Sequence, residues 1–97
     1  MKPQVDIITC NSYYENGVIS GGYHEIHTIK YFQNIQHLIA NIDAVVANNL
    51  LYGCEDTVLE GISVCCKDKT VCNALTEHYK GYIGKSKIVF ECEYCEM

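Results

Sequence analysis

The chain contains no arginine. All seven basic residues are lysine, and they are outnumbered by twelve acidic residues, which gives a formal net charge of −5. Arginine supplies the bidentate contacts that proteins use on phosphate and on guanine. Affinity for DNA comes mainly from neutralising phosphates with positive charge. We therefore expect no direct binding to nucleic acid, and a positively charged partner rather than a negatively charged one.

Long apolar runs are absent as well. No stretch approaches the ~20 apolar residues that a membrane helix needs, and the opening sequence MKPQVDIITC has Asp6 where a signal peptide would be apolar. These features predict a cytoplasmic protein with no membrane contact. The chain has 97 residues, of which 48% are hydrophobic and 20% charged. Residues 1–97 are therefore expected to form one compact domain.

Catalytic motifs are also missing. The four histidines are scattered, and neither a serine elbow nor a paired-carboxylate signature is present. The stretch GYIGKS at 81–86 resembles the end of a phosphate-binding loop. However, Tyr79 occupies the position where that motif requires its first glycine. The sequence therefore predicts that the protein is not an enzyme.

Cysteine is abundant, with seven residues. Without an export signal we expect reduced thiols, most of them acting as small apolar core residues. The spacing Cys92-x-x-Cys95 is used by zinc and redox sites, but a structural zinc needs four ligands and no second such pair exists. In an extended strand these two side chains would also point to opposite faces. We expect no metal and no cofactor, with a zinc-stabilised interaction module as an alternative. Its further ligands would come from Cys65, Cys66, Cys72 and His78.

Hydrophobic periodicity predicts the order β-β-α-β-α-β. Alternating patterns predict strands at about 5–14 and 18–27, joined by a two-residue turn at Asn16-Gly17, with a bulge or bend at Gly21-Gly22. A three- and four-residue period predicts a helix at about 29–51, capped after its end by Gly53. A strand over 56–66, a helix at about 69–83 and a last strand over 85–95 follow.

This order predicts an α+β fold, with a mostly antiparallel sheet of three to four strands and two helices on one face. In the first helix, the residues expected at the interface with the sheet are Leu38, Ile39, Ile42 and Val46. In the second helix, the expected buried row is Val71, Leu75, Tyr79 and Tyr82. In the third strand, the residues expected on one face are Val58, Ile62, Val64 and Cys66, with Glu60 as the exception in that row.

Acidic residues gather near the third and last strands. Glu91 and Glu93 are two residues apart, so their side chains project together at a spacing of roughly 6.8 Å. If the two strands are neighbours, the carboxylates near them form one patch, separate from the lysines of segment 67–87. Such a patch of negative charge can imitate the phosphates of DNA. The alternative is an ordinary sheet face exposed to solvent. The predicted binding residues, with the tyrosine adding packed area, are Glu55, Asp56, Glu60, Glu91, Glu93, Tyr94 and Glu96.

Eight tyrosines are more than so small a core needs, and tyrosine is enriched at protein interfaces. In its tyrosine content and its acidic stretches CEDTVLEG and ECEYCEM, this chain resembles the anti-CRISPR proteins of bacteriophages and prophages. It is most similar in character to inhibitors of the type I-F (Csy) surveillance complex. The resemblance implies a stoichiometric inhibitor that contacts the lysine- and arginine-rich surface of Cas proteins and blocks target double-stranded DNA as an acidic DNA mimic. The charge of −5 is lower than that of the most acidic mimics, so blockade by shape stays open. A small self-assembling phage protein is a further alternative.

Overall fold

A computed structural model describes residues 4–52, 57–83 and 88–95, without the side chains of 50–52. The elements are β1 (Val5–Glu15), β2 (Val18–Ile29), α1 (Ile35–Tyr52), β3 (Thr57–Cys66), α2 (Lys69–Tyr79), β4 (Tyr82–Ile83) and β5 (Ile88–Tyr94). The strands form one sheet in the order β2-β1-β3-β5-β4. All neighbouring strands are antiparallel except β3 and β5, which run parallel. The prediction of an α+β domain with a mostly antiparallel sheet is confirmed.

The two helices cover one face of the sheet, which we call the helix face. Side chains of both helices share a single buried cluster with alternate side chains of β1, β3 and β5. The opposite face carries no helix in the described part of the chain, and we call it the open face. None of the helices described is long and apolar enough to cross a bilayer.

The β1–β2 hairpin turns at Asn16 and Gly17, both with positive φ, as the sequence predicts. The strands are longer than predicted, and β2 extends to Ile29. The predicted irregularity also occurs, because the register of the pair shifts between Tyr13 and Tyr14, leaving one extra residue in β2 just before Gly21.

Helix α1 begins at Ile35, six residues later than predicted. The strand occupies the chain up to residue 29, and the Asn34 side chain then accepts a hydrogen bond from the His37 amide at 2.9 Å, which caps the helix start. Phe32, predicted on the helix, lies before it and is fully buried. The predicted interface residues are all buried and their assignment is confirmed: Leu38, Ile39, Ile42 and Val46. The proposed cap at Gly53 lies outside the described residues.

A bulge in β3 changes which residues face the core. Cys10 pairs with Gly61 and Asn11 with Leu59, so Glu60 is the extra residue. Side chains before the bulge therefore have the opposite phase to those after it. Leu59 is buried whereas Val58 is 44% exposed, so the prediction for Val58 is wrong. The predictions for Ile62, Val64 and Cys66 are confirmed.

Helix α2 starts where the sequence predicts and ends earlier. Asp68 caps it by accepting hydrogen bonds from the amides of Thr70 and Val71, and Lys80 closes it in the left-handed conformation. The chain then enters the short strand β4, so Tyr82 lies on a strand and is 58% exposed rather than in the buried helical row. Leu75 is buried and Tyr79 is half-buried. The sequence predicts three to four strands, and the two-residue strand β4 is the additional strand that it did not reveal.

Candidate binding surface

The central pairing behind the predicted acidic patch is present. Strands β3 and β5 are direct neighbours, with Ser63 opposite Glu91 and Cys65 opposite Glu93. Ile88, Phe90 and Cys92 take the helix face, so both glutamates project from the open face and are exposed. Two exposed carboxylates therefore stand side by side on an uncovered sheet.

Glu60 belongs to the same face. Together with Glu91 it lines a shallow depression of about 210 Å³ whose other walls include Cys10, Ser63 and Val89. The bulge places the Glu60 carboxylate beside β1, where it accepts a hydrogen bond from the Tyr14 hydroxyl at 2.8 Å. This hydrogen bond, followed by burial and the negative charge of Glu60, raises the pKa of Tyr14. Tyr14 thus fixes the position of one carboxylate of the surface.

Asp6 is a further carboxylate on this face, and it was not among the predicted binding residues. It pairs with Cys65 across β1 and β3, and Cys65 pairs in turn with Glu93. With neighbouring strands about 4.8 Å apart, Asp6 and Glu93 lie roughly 10 Å from each other. Asp6 accepts a hydrogen bond from the Thr28 hydroxyl at 2.8 Å. Its alternation with Val5 and Ile7 indicates an outward position, but only the strand order brings it near β5.

Tyr94 is not part of this surface. It lies on the helix face, opposite to Glu91 and Glu93, and the Lys69 ammonium sits 5.2 Å from its ring centroid. Positive charge therefore borders the patch where β3 and β5 end, because Lys67 and Lys69 follow directly after β3. Glu55, Asp56 and Glu96 lie outside the described residues, so their position relative to the patch stays a prediction. The acidic surface described comprises Asp6, Glu60, Glu91 and Glu93.

None of the five described strands carries a lysine. Their sequences contain six carboxylates, whereas the lysines of the described residues lie in loops, in α2 and at its end. The basic groups on the strands are His24 and His27, both in β2, at the far side of the sheet from β5. The open face near β3 and β5 is consequently negative, without a cation on the same strands.

The cysteines correct one expectation. Cys65 and Cys95 form a disulfide, with Cα atoms 5.7 Å apart. The prediction of reduced thiols is therefore wrong for these two residues. Cys95 is bonded to Cys65, whose side chain is on the open face, whereas Cys92 packs on the helix face. This confirms that the two side chains of the C-x-x-C spacing point to opposite faces. Within residues 4–52, 57–83 and 88–95, no group of three or more His, Cys, Asp or Glu side chains has the arrangement of a metal site.

The thiols on the helix face behave as core residues. Cys66, at the end of β3, and Cys72, on α2, are buried, and Cys92 packs against the same cluster. Burial raises the pKa of Cys66, and burial together with a hydrogen bond to Cys72 raises the pKa of Cys92. The raised pKa values keep the thiols of Cys66 and Cys92 protonated and poorly nucleophilic at neutral pH. The predicted role as small apolar core residues therefore holds for three of the six described cysteines, not for most of them.

No protein family, curated protein or solved structure matches this chain. The geometry of the surface and the chemistry of its side chains are therefore the basis for the functional proposal.

Proposed function

We propose that this protein is a stoichiometric inhibitor of a type I-F CRISPR surveillance complex. It acts in the bacterial cytoplasm, where it covers the basic surface of Cas proteins that binds target double-stranded DNA. The observation that carries the proposal is the uncovered sheet face on which Asp6, Glu60, Glu91 and Glu93 project from strands that contain no lysine.

A rigid sheet suits this role because it holds charges at fixed spacing. Glu91 and Glu93 are separated by roughly 6.8 Å along β5, and the hydrogen bonds of Glu60 and Asp6 restrain two further carboxylates. A surface that binds DNA presents lysine and arginine side chains arranged for phosphates. Carboxylates held in advance lose less conformational freedom when they meet such a surface.

Electrostatics would also set the kinetics. Complementary charge speeds association and contributes about 1–3 kcal/mol for each well-formed, partly buried pair. Screening shortens to ~8 Å at physiological ionic strength, so the rate of association should fall as salt rises. Lys67 and Lys69, which follow the end of β3, would lie at the rim of the contact. The basic Cas surface would repel them from its centre.

The proposal is tested by a gel-shift competition between the protein and target duplex for the purified surveillance complex. The test variant is Glu91→Lys with Glu93→Lys, whose side chains are exposed on the open face. Reversing both charges should weaken inhibition about 30-fold or more, because two pairs of about 1 kcal/mol or more each sum to at least about 2 kcal/mol.

A matched control changes the net charge equally at other sites. Glu15→Lys with Glu77→Lys reverses two exposed carboxylates, one at the hairpin tip and one on α2, away from the open face. This control should inhibit like the wild type apart from a small effect of net charge. Equal potency of the β5 variant and the wild type, with both folded, would refute the role of the open face.

A further inference from the structure

We propose that two copies of this protein associate through their β2 edges in an antiparallel pairing centred on Ile26, which joins two five-stranded sheets into one. This inference does not depend on the proposed inhibition. It rests on the position of β2, on its exposed side chains and on a register in which each Glu25 carboxylate meets an imidazole.

Strand β2 is an edge of the sheet, with β1 on one side and no described strand on the other. It is twelve residues long and, apart from three intermediate positions, exposed throughout. An edge strand of this length leaves a row of backbone N–H and C=O groups that can pair with another strand. Natural edges are usually protected by lysine, proline or short length, and β2 has none of these over Val18–Ile29.

The irregularity near Tyr13 and Tyr14 limits the usable part of the edge. The extra residue lies before Gly21, and bulges twist a strand out of the plane needed for regular pairing. The regular segment is therefore 21–29. Within it Ile26 is 67% exposed and lies on the open face, because it pairs with Ile8.

Side-chain chemistry selects one register. In a two-fold pair that continues the sheet, residues directly opposite share a face, so the axis passes beside one residue. An axis at Glu25 would place the two Glu25 carboxylates opposite each other, which is destabilising. An axis at Ile26 places Ile26 against its own copy and Glu25 against the second copy's His27, twice by symmetry.

Glu25 and His27 are already neighbours on the helix face of β2. His27 Nε2 and Glu25 Oε2 are 3.8 Å apart, and the two side chains are 39% and 49% exposed respectively. Imidazole donates to a carboxylate in both of its protonation states. In the proposed pair, each carboxylate gains a second imidazole, forming a four-residue ring around the axis. The exposed apolar side chain of Ile26 is covered at the same time.

The test is the mass of the protein in solution, measured by sedimentation over a concentration series. We expect the mass to rise from 11.0 kDa towards twice this value as concentration increases. Ile26→Lys should keep the protein monomeric at every concentration, because two lysines would face each other. Val18→Lys is the matched control: Val18 is equally exposed, at 67%, but lies beyond the bulge, and this variant should associate like the wild type.

The register is tested by exchanging the charges. Glu25→Lys alone should weaken association about fivefold or more, since both carboxylate–imidazole contacts between the two copies are lost. Adding His27→Glu restores the complementarity and should recover most of the affinity. A wild type that stays at 11.0 kDa throughout would overturn the proposal. So would equal effects of Val18→Lys and Ile26→Lys, failure of the charge exchange to recover association, or a dimer that denaturing gels show to be disulfide-linked.

Discussion

Breaking the disulfide between Cys65 and Cys95 should lower the stability of the fold by a measurable amount. The two residues are 30 positions apart, and the bond ties the end of β5 to the middle strand β3. In the chain-entropy description, a loop of this size corresponds to about 3.6 kcal/mol at 25 °C, as an upper value. A domain of this size has a free energy of unfolding of only about 5–15 kcal/mol. The loss is therefore a large fraction of the total.

The assay is urea unfolding followed by circular dichroism, with and without reductant. Reduction should lower the midpoint by roughly 1–3 M urea for a domain of this size. The variant Cys65→Ser with Cys95→Ser should match the reduced wild type and should no longer respond to reductant. Cys10→Ser, which removes a free thiol from the open face, is the control and should keep the wild-type response.

Two results would refute this reasoning. One is a wild-type midpoint that reductant leaves unchanged. The other is a thiol titration that finds all seven cysteines free in protein purified without reductant, because the disulfide leaves at most five.

Three further predictions concern the fold. Gly22→Ala should lower the free energy of unfolding by about 1–3 kcal/mol, because the new Cβ would lie 2.7 Å from the backbone oxygen of Asn11. In the control Gly21→Ala, the new Cβ lies 3.7 Å from the Tyr13 side chain, so stability should stay within about 0.5 kcal/mol of wild type. Thermal melting of the two variants compares them. Ile39→Asp should cost roughly 3 kcal/mol or more by burying an unpaired charge, and a variant that melts like the parent would show that this helix face is assigned wrongly. Tyr79→Phe should cost about 1 kcal/mol by removing the hydrogen bond to Asp43. Burial and this hydrogen bond raise the pKa of Tyr79. The contribution of Tyr79 to the free energy of unfolding is therefore complete below about pH 10 and is lost as the pH rises further. Urea titrations at neutral and alkaline pH should show that the variant loses less stability at alkaline pH than the wild type.

Local signals in the sequence were sufficient for much of the fold. The pair Asn16-Gly17 determines the hairpin turn through backbone conformation, and Asp68 begins α2 by capping its amides. The buried row of α1 follows from helical spacing because Leu38 and Ile42 are one turn apart. Each of these features depends on residues close together in the chain, which is why a single sequence reveals them.

Features that depend on distant pairing were missed. The bulge at Glu60 reverses the phase of β3, and it is defined by the register with β1, some fifty residues away. The disulfide partner of Cys65 could not be selected from seven cysteines without the strand order. The same holds for Asp6, which joins the acidic surface only because β1 lies beside β3. The prediction that the third and last strands could be neighbours is confirmed, because β3 pairs with β5. Tyr94 does not lie with the carboxylates, since strand alternation puts its ring on the helix face.

We propose that the acidic open face and target DNA compete for one surface of the surveillance complex. The most direct measurement is a titration of fluorescently labelled target duplex bound to the complex with this protein, with the mass of every species recorded. We predict that duplex is released as the protein binds, that no species contains both, and that higher salt weakens the binding of the protein. A stable species containing the complex, the duplex and this protein together would contradict the claim.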